Sequence, residues 1–307
     1  MLRLRRWRPW VCSPWSLSVL ATVTLVSHPM RAADEPFLVT YSHQMEEPGN
    51  LEIETKNVTG RPNGGNRFLG TAVELEYSVT GRWTTSVYFD GQATGGQSAL
   101  FTGYRWENRF RLFRHNYWIN PVLYAEYAHL DGADKTLVEV VGRDGKGELI
   151  QLNQNARQEK AREIETRLIL GSSFKGWTLA ENLIAEKNVR HAPFEFGYTA
   201  GVSRPLSLAP HPAPCNLCAK NFQAGLELYG GLGTSNDFNF RGTSHYVAPV
   251  ASWTLTRGTT FRVSPGFGVT RASAPFLLRI GVSYGFDDFG RALRGLFSSH
   301  APEPERP

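Results

Sequence analysis

Cysteine and methionine are scarce, with three of each in 307 residues. Beyond the amino terminus no apolar run approaches the roughly 20 residues that a membrane-crossing helix needs. A helical membrane protein is therefore excluded, and a chain of this kind that crosses a bilayer does so as a closed barrel. Catalytic motifs are missing too: there is no G-x-S-x-G elbow, no phosphate-binding loop and no H-E-x-x-H. Ser244 and His245 are neighbours in sequence, so a strand turns them to opposite faces. The histidine reads as a loop-end residue, and neither an enzymatic activity nor a cofactor is expected.

A basic excess is also lacking once the first 33 residues are set aside. Arg3, Arg5, Arg6, Arg8 and Arg31 lie there without an acid and account for the whole formal charge of +5. A nucleic-acid partner thereby loses its support. The same segment has the layout of an export signal, with its arginines, a short apolar run over 16–26, and Ala32 and Ala33 at a cleavage point. Met30 and Arg31 stand where a small residue is preferred, which leaves an uncleaved anchor as the alternative. No Pro-, Gly- or Ser-rich linker divides the rest into domains.

Alternation is what the chain has in plenty. Over 276–286, Leu278, Ile280, Val282, Tyr284 and Phe286 point one way and Arg279, Gly281, Ser283 and Gly285 the other. Such a strand has one face for lipid and one for a watery interior. Similar segments lie at 51–57, 71–79, 83–90, 99–113, 120–127, 163–170, 177–187, 194–203, 222–229, 247–255 and 261–269. The fold class is all-β: a transmembrane antiparallel up-and-down β-barrel of about 12 strands. The segment 177–187 is irregular, because its alternation turns Glu181 outward beside Leu179 and Leu183, and a register shift or a place near the rim is expected there.

Counted from a periplasmic amino terminus, the odd-to-even links fall at 60–67, 91–98, 129–160, 188–193, 233–245 and 271–275. The even-to-odd links at 80–81, 113–116, 174–176 and 256–259 are short, the asymmetry of extracellular loops against periplasmic turns. The loop 129–160 is expected to fold over or into the mouth, with a hairpin around 142–147. The exception to short turns is the Pro-rich 205–220, whose Cys215 and Cys218 are expected to form a disulfide in an oxidising compartment. A thioredoxin-type motif should open a helix after a strand, haem attachment needs a His where Ala219 stands, and His211 is the one further metal ligand nearby.

The inward charges are the candidate site. Glu74, Glu76, Arg105, Glu107, Arg109, Arg111, Glu126, Glu163, Glu165, Arg167, Glu195, Glu227, Arg262 and Arg279 fall on the inner faces. A dry core does not carry such a series unless it is paired or wet. With the turn at 113–116, Arg105 comes opposite Glu126 or Tyr124, and Arg109 opposite Asn120 or Val122. Two readings follow. In one, the charges line a narrow aqueous path that passes or binds a small solute. In the other, they form a salt-bridged ladder that fills a non-conducting lumen, in a structural or adhesin-like barrel.

The closing strand reads Arg279-x-Gly281-x-x-Tyr284-x-Phe286. Its Gly281, Tyr284 and Phe286 look like the terminal-strand signal that bacterial outer-membrane barrels present to their assembly machinery. With the export signal, and with Glu74-Leu75-Glu76-Tyr77 leading into Gly81-Arg82-Trp83, the chain resembles outer-membrane proteins related to the phenol meta-pathway transporter family. The resemblance implies a porin-like barrel in the outer membrane of a Gram-negative bacterium, passing small solutes, aromatic or hydrophobic ones among them. The amino-terminal plug of the fatty-acid and toluene channels is not evident in 34–49. The expected order is a signal peptide at 1–33, a periplasmic segment at 34–47, the barrel at 48–286 and a tail at 287–307. The tail is expected to be disordered from Ala301, after a short amphipathic helical turn over 290–297. The expected partners are outer-membrane lipid, the barrel-assembly machinery and a small solute.

Overall fold

The computed structural model describes residues 36–137, 141, 149–190, 193–209 and 215–298, with side chains up to residue 293 in the last stretch. The export signal, the 142–147 hairpin, His211 and the tail beyond Ser298 lie outside them. Strands form where side chains alternate: β1 (Leu51–Gly60), β2 (Phe68–Thr80), β3 (Trp83–Thr94), β4 (Ala99–Arg111), β5 (Asn120–Asp131), β6 (Lys160–Phe174) and β7 (Trp177–Asn188). They continue with β8 (Glu195–Pro205), β9 (Phe222–Thr234), the two-residue β10 (Asp237–Phe238), β11 (His245–Thr254), β12 (Thr259–Gly268) and β13 (Phe276–Phe286). All neighbours pair antiparallel, and β13 pairs with β1 from Leu51 opposite Phe286 to Gly60 opposite Leu277, so the sheet has no free edge. Because β10 only extends β9, the ring has twelve long strands, one for each alternating segment.

Turn chemistry sets the two ends apart. At one end, Lys175 and Gly176, with φ of 49° and 81°, form a two-residue hairpin between β6 and β7. Positive φ at both central positions matches the strand twist. The link from β4 to β5 at this end is longer than 113–116, because β4 stops at Arg111 and β5 starts at Asn120. The register therefore differs from the expected one: Arg105 lies opposite Ala128 and Arg109 opposite Tyr124. Residues 206–209 and 215–221 also belong to this end, where the Cys215–Cys218 disulfide closes a small loop. Asn216 ties that loop to the β11–β12 turn, accepting from Trp253 Nε1 and from Thr256.

The outer face is apolar. Leu75, Phe89, Trp106, Phe110, Leu123, Leu168, Leu183, Phe261 and Ile280 are all exposed there. A water-soluble monomer does not present so continuous an apolar surface. Glu181 stays outward between Leu170 and Ala200, and β7 pairs on both sides without a bulge, so the expected register shift does not occur. Tyr284 and Phe286 meet edge to face on the outer side, 4.7 Å between centroids, where the last strand ends. A ten-residue helix, Phe289–Ser298, follows at the rim, where Gly290 N–H donates to Gly49 O.

Two pieces of chain outside the sheet fill the interior. The first is a strap, residues 36–49, expected as a periplasmic segment. It enters beside Ser78, whose backbone O accepts from Gly49 N–H at 2.7 Å, and its Pro36–Thr40 and Ser42–His43 stretches are largely buried within the ring. The strap lies inside because only there do its apolar side chains escape water and its backbone groups find partners. The second is the loop between β5 and β6, which folds into the other end, with Leu149 and Lys135 buried. Val39 of the strap and Leu149 of the loop belong to one buried cluster with Val58, Phe68, Tyr229, Tyr246 and Leu277 of the wall.

Candidate functional site

The inner wall of β1 to β6 carries most of the charge. Glu54, Glu74, Glu107, Glu126, Glu165, Arg105, Arg109, Arg167, Arg262 and Arg279 are all buried on inner faces. Glu76, Arg111, Glu163 and Glu195 share that face with partial exposure. Arg105 holds Asp90 at 2.8 Å and Glu126 at 3.1 Å, so the two partners come from β3 and β5 on either side. Arg109 pairs with Glu76 and lies 3.0 Å from Glu107, Arg167 pairs with Glu165, and Arg262 reaches Glu54 at 2.9 Å across the barrel seam. Lys56 bonds Glu74 at 2.7 Å. Most of these buried charges thus meet an opposite one, the condition under which a low-dielectric interior tolerates them.

The pairing register reveals a second order. Glu107 lies directly opposite Glu126, Glu126 opposite Glu165, Glu165 opposite Glu186, and Glu186 opposite Glu195. Five consecutive strands place a carboxylate in the same cross-strand row. Because the strands of a closed barrel are tilted and staggered, such a row climbs from one end toward the other. Like charges opposite each other repel. Arg105, Arg109 and Arg167, in the rows above and below, offset that repulsion for the first three acids.

The strap crosses the lumen in front of this wall. Tyr41 is its centre: its hydroxyl donates to Glu107 at 2.9 Å and lies 3.1 Å from the Tyr88 hydroxyl. Its ring packs on Tyr124, 5.3 Å between centroids, and lies beneath Arg167 and Arg109 at 5.0 and 5.2 Å. Tyr88 donates to Glu74 or Glu107, each at 2.6 Å. On the opposite wall the side chains are small. Phe37 sits with Ala180 and Val250, and a Cβ at Gly201 would come 2.7 Å from its ring. A Cβ at Gly281 would come 2.8 Å from Leu38, so this glycine of the closing strand also makes room for the strap.

A cavity of about 60 Å³ remains between strap, loop and charged wall, lined in part by Tyr41, Lys56, Tyr88, Arg105, Arg167 and Arg279. That is room for a few waters, so among the described residues strap and wall leave only a narrow polar space here. At the loop end, Lys135 donates to Thr94 at 2.9 Å and Asn153 at 3.3 Å, and Asp134 accepts from Thr102 at 2.6 Å. Burial pushes the Asp134 carboxyl above its ordinary range and holds the Lys135 ammonium below its own. No three His, Cys, Asp or Glu side chains could hold a metal among the described residues. His245 is held by Tyr198, Thr243 and the Phe240 carbonyl, while Ser244 bonds Ala272 O.

Sequence reasoning did not find Tyr41, Asn182, Lys56, Glu54 or Glu186. Tyr41 and Asn182 are joined to their partners only across 141 residues of chain, through Tyr41 N–H donating to Asn182. The only sequence signals for them are the short alternation of Phe37, Val39 and Tyr41 and the many Gly, Ala and Ser at inner positions after β6. A wall of small side chains leaves volume that another segment must occupy.

No protein-family model matches the sequence, and no curated protein sequence matches it. Solved structures similar in fold include the KdgM porin in complex with disordered oligogalacturonate (10% identity, TM-score 0.46, covering 77% of this chain and 99% of that one). Others are an outer membrane channel from Pseudomonas putida F1 (12%, 0.48, 80% and 98%) and LpxR from Salmonella typhimurium (9%, 0.36, 76% and 99%).

Proposed function

We propose that the protein is a passive outer-membrane channel for a small solute, held shut by its own amino-terminal strap. The apolar outer face and the paired charges within support a barrel with lipid outside and a wet interior. The observation that carries the channel reading is that the part of the lumen left open by the wall side chains is filled by a segment that is not part of the wall. The strap makes no strand pairing and is held by hydrogen bonds to a few side chains, chiefly Glu227, Asn182 and Glu107, and by the burial of Phe37 and Val39. Its withdrawal leaves the ring of strands intact around a polar path, because every ladder bond lies between wall strands. Such bonds break and re-form on the timescale of loop motion, whereas a ladder of side chains rooted in the wall does not move aside.

Planar-bilayer recording tests this. The full chain should give rare openings, and a variant lacking residues 36–47 should conduct steadily. A strapless barrel that folds, as judged by heat-modifiable migration, yet carries no current and admits no solute would instead support the structural, non-conducting barrel.

A further inference from the structure

The wall of β7 and β9 reads a polypeptide backbone. The side-chain amide of Asn182 accepts from Tyr41 N–H at 2.8 Å and donates to Tyr41 C=O at 2.7 Å, the pair of bonds a neighbouring strand would offer that residue. Glu227 accepts from the N–H groups of Leu38, Val39 and Thr40 at 3.4, 3.0 and 2.7 Å. Asn182 and Glu227 are both 0% exposed. None of these contacts depends on which side chains the bound segment carries. Specificity for side chains is left to shallow sockets such as the one at Gly201.

Glu227 is the unusual member. It is a buried carboxylate, and among the described residues no lysine or arginine pairs with it; three backbone N–H groups donate to it, with the Thr40 hydroxyl beside them. Removing donors from such a group is costly, so whatever replaces the strap does best by bringing N–H groups of its own. A free α-ammonium does this better than a neutral amide, because its hydrogen bonds to a carboxylate are charge-assisted. The next peptide unit would then face Asn182. A sugar or a simple aromatic offers no paired N–H and C=O at that spacing.

We infer that this wall is a binding site for short peptides with a free amino terminus, and that such peptides are the solute class of the channel. The inference rests on the channel reading above. The tethered strap competes at an effective concentration on the order of millimolar, so free peptides displace it only at comparable concentration. Weak competition of that kind suits passage rather than capture.

The test is swelling of liposomes holding the full-length protein, with ionic current measured on the same preparation. The probes are trialanine, N-acetyl-trialanine and a neutral sugar of similar mass. Trialanine should enter faster than its acetylated form by on the order of tenfold, the share of one charge-assisted hydrogen bond. Glu227→Gln should bring that ratio close to one, and Asn182→Leu should slow both peptides relative to the sugar. A ratio near one in the unaltered protein, or one that Glu227→Gln leaves unchanged, overturns the peptide site while current persists. Absence of both current and swelling, even without the strap, removes the channel and the peptide site together.

Discussion

The two sides of the lumen solve the same packing problem in opposite ways. From β1 to β6 the inner wall carries long charged side chains that reach across and fill their own half, as Arg105 does between Asp90 and Glu126. From β7 to β13 it carries mainly small groups, among them Ala180, Thr199, Gly201, Ser203, Ala248, Ser264 and Gly281, with Glu186, Glu195, Glu227, Arg262 and Arg279 as the charged exceptions. The space they leave is taken by the strap. One side is closed by covalently fixed wall, the other by a segment held through a few hydrogen bonds. The side with small residues is therefore where opening costs least.

The sharpest way to break that contrast is to remove a charge from the filled side. Arg105→Leu leaves Asp90 and Glu126 buried without their shared partner. Breaking a buried ion pair in this way costs about 3–5 kcal/mol, less where water enters. The expected outcome is a large drop in the urea midpoint of unfolding from lipid vesicles, or failure to reach the heat-modifiable form. If the midpoint is unchanged, the charged wall is wetter and less structural than its burial indicates.

A substitution of the opposite kind belongs on the other side. Gly201→Leu puts a side chain where the Phe37 ring lies, and overfilling a packed site costs about 1–3 kcal/mol. Here the cost falls on docking of the strap, because the sheet around Gly201 needs no new geometry for a leucine. Barrel stability should change little, while open-channel time rises on the order of tenfold, the shift that about 1.4 kcal/mol produces. Loss of stability without a gain in current would mean that strap and wall fold as one unit.

How much of this could be read from sequence divides along the same line. Each strand was legible because lipid and lumen impose period two on its own residues, and Leu278 to Phe286 state that rule locally. The charges of β4 were legible for the same reason. Their partners were not: the link after Arg111 is longer than the turn assigned to it, and each added residue shifts what lies opposite. The glutamate row from Glu107 to Glu195 exists only once four registers are known. The strap was hidden because its fate depends on Asn182 and Glu227, far along the chain. Phe37, Val39 and Tyr41 alternate over too short a span to distinguish a lumen strap from an exposed segment.

Glu181 offers the smallest effect, and it reverses sign. It is the acid on the outer face of β7, between Leu170 and Ala200, four residues beyond Trp177 at the turn end. At about 3.3 Å per residue along a tilted strand, it sits well inside an apolar band roughly 25 Å tall. A charged group on that face destabilises a barrel by about 2–4 kcal/mol for a base at midplane, and by less for an acid. Glu181→Leu should therefore raise the unfolding midpoint by a shift worth about 1–2 kcal/mol, and leave the current unchanged because the strap does not touch that face. A fall in stability would show that the carboxylate has a partner outside the barrel wall, and that this side of the exterior is not covered by lipid alone.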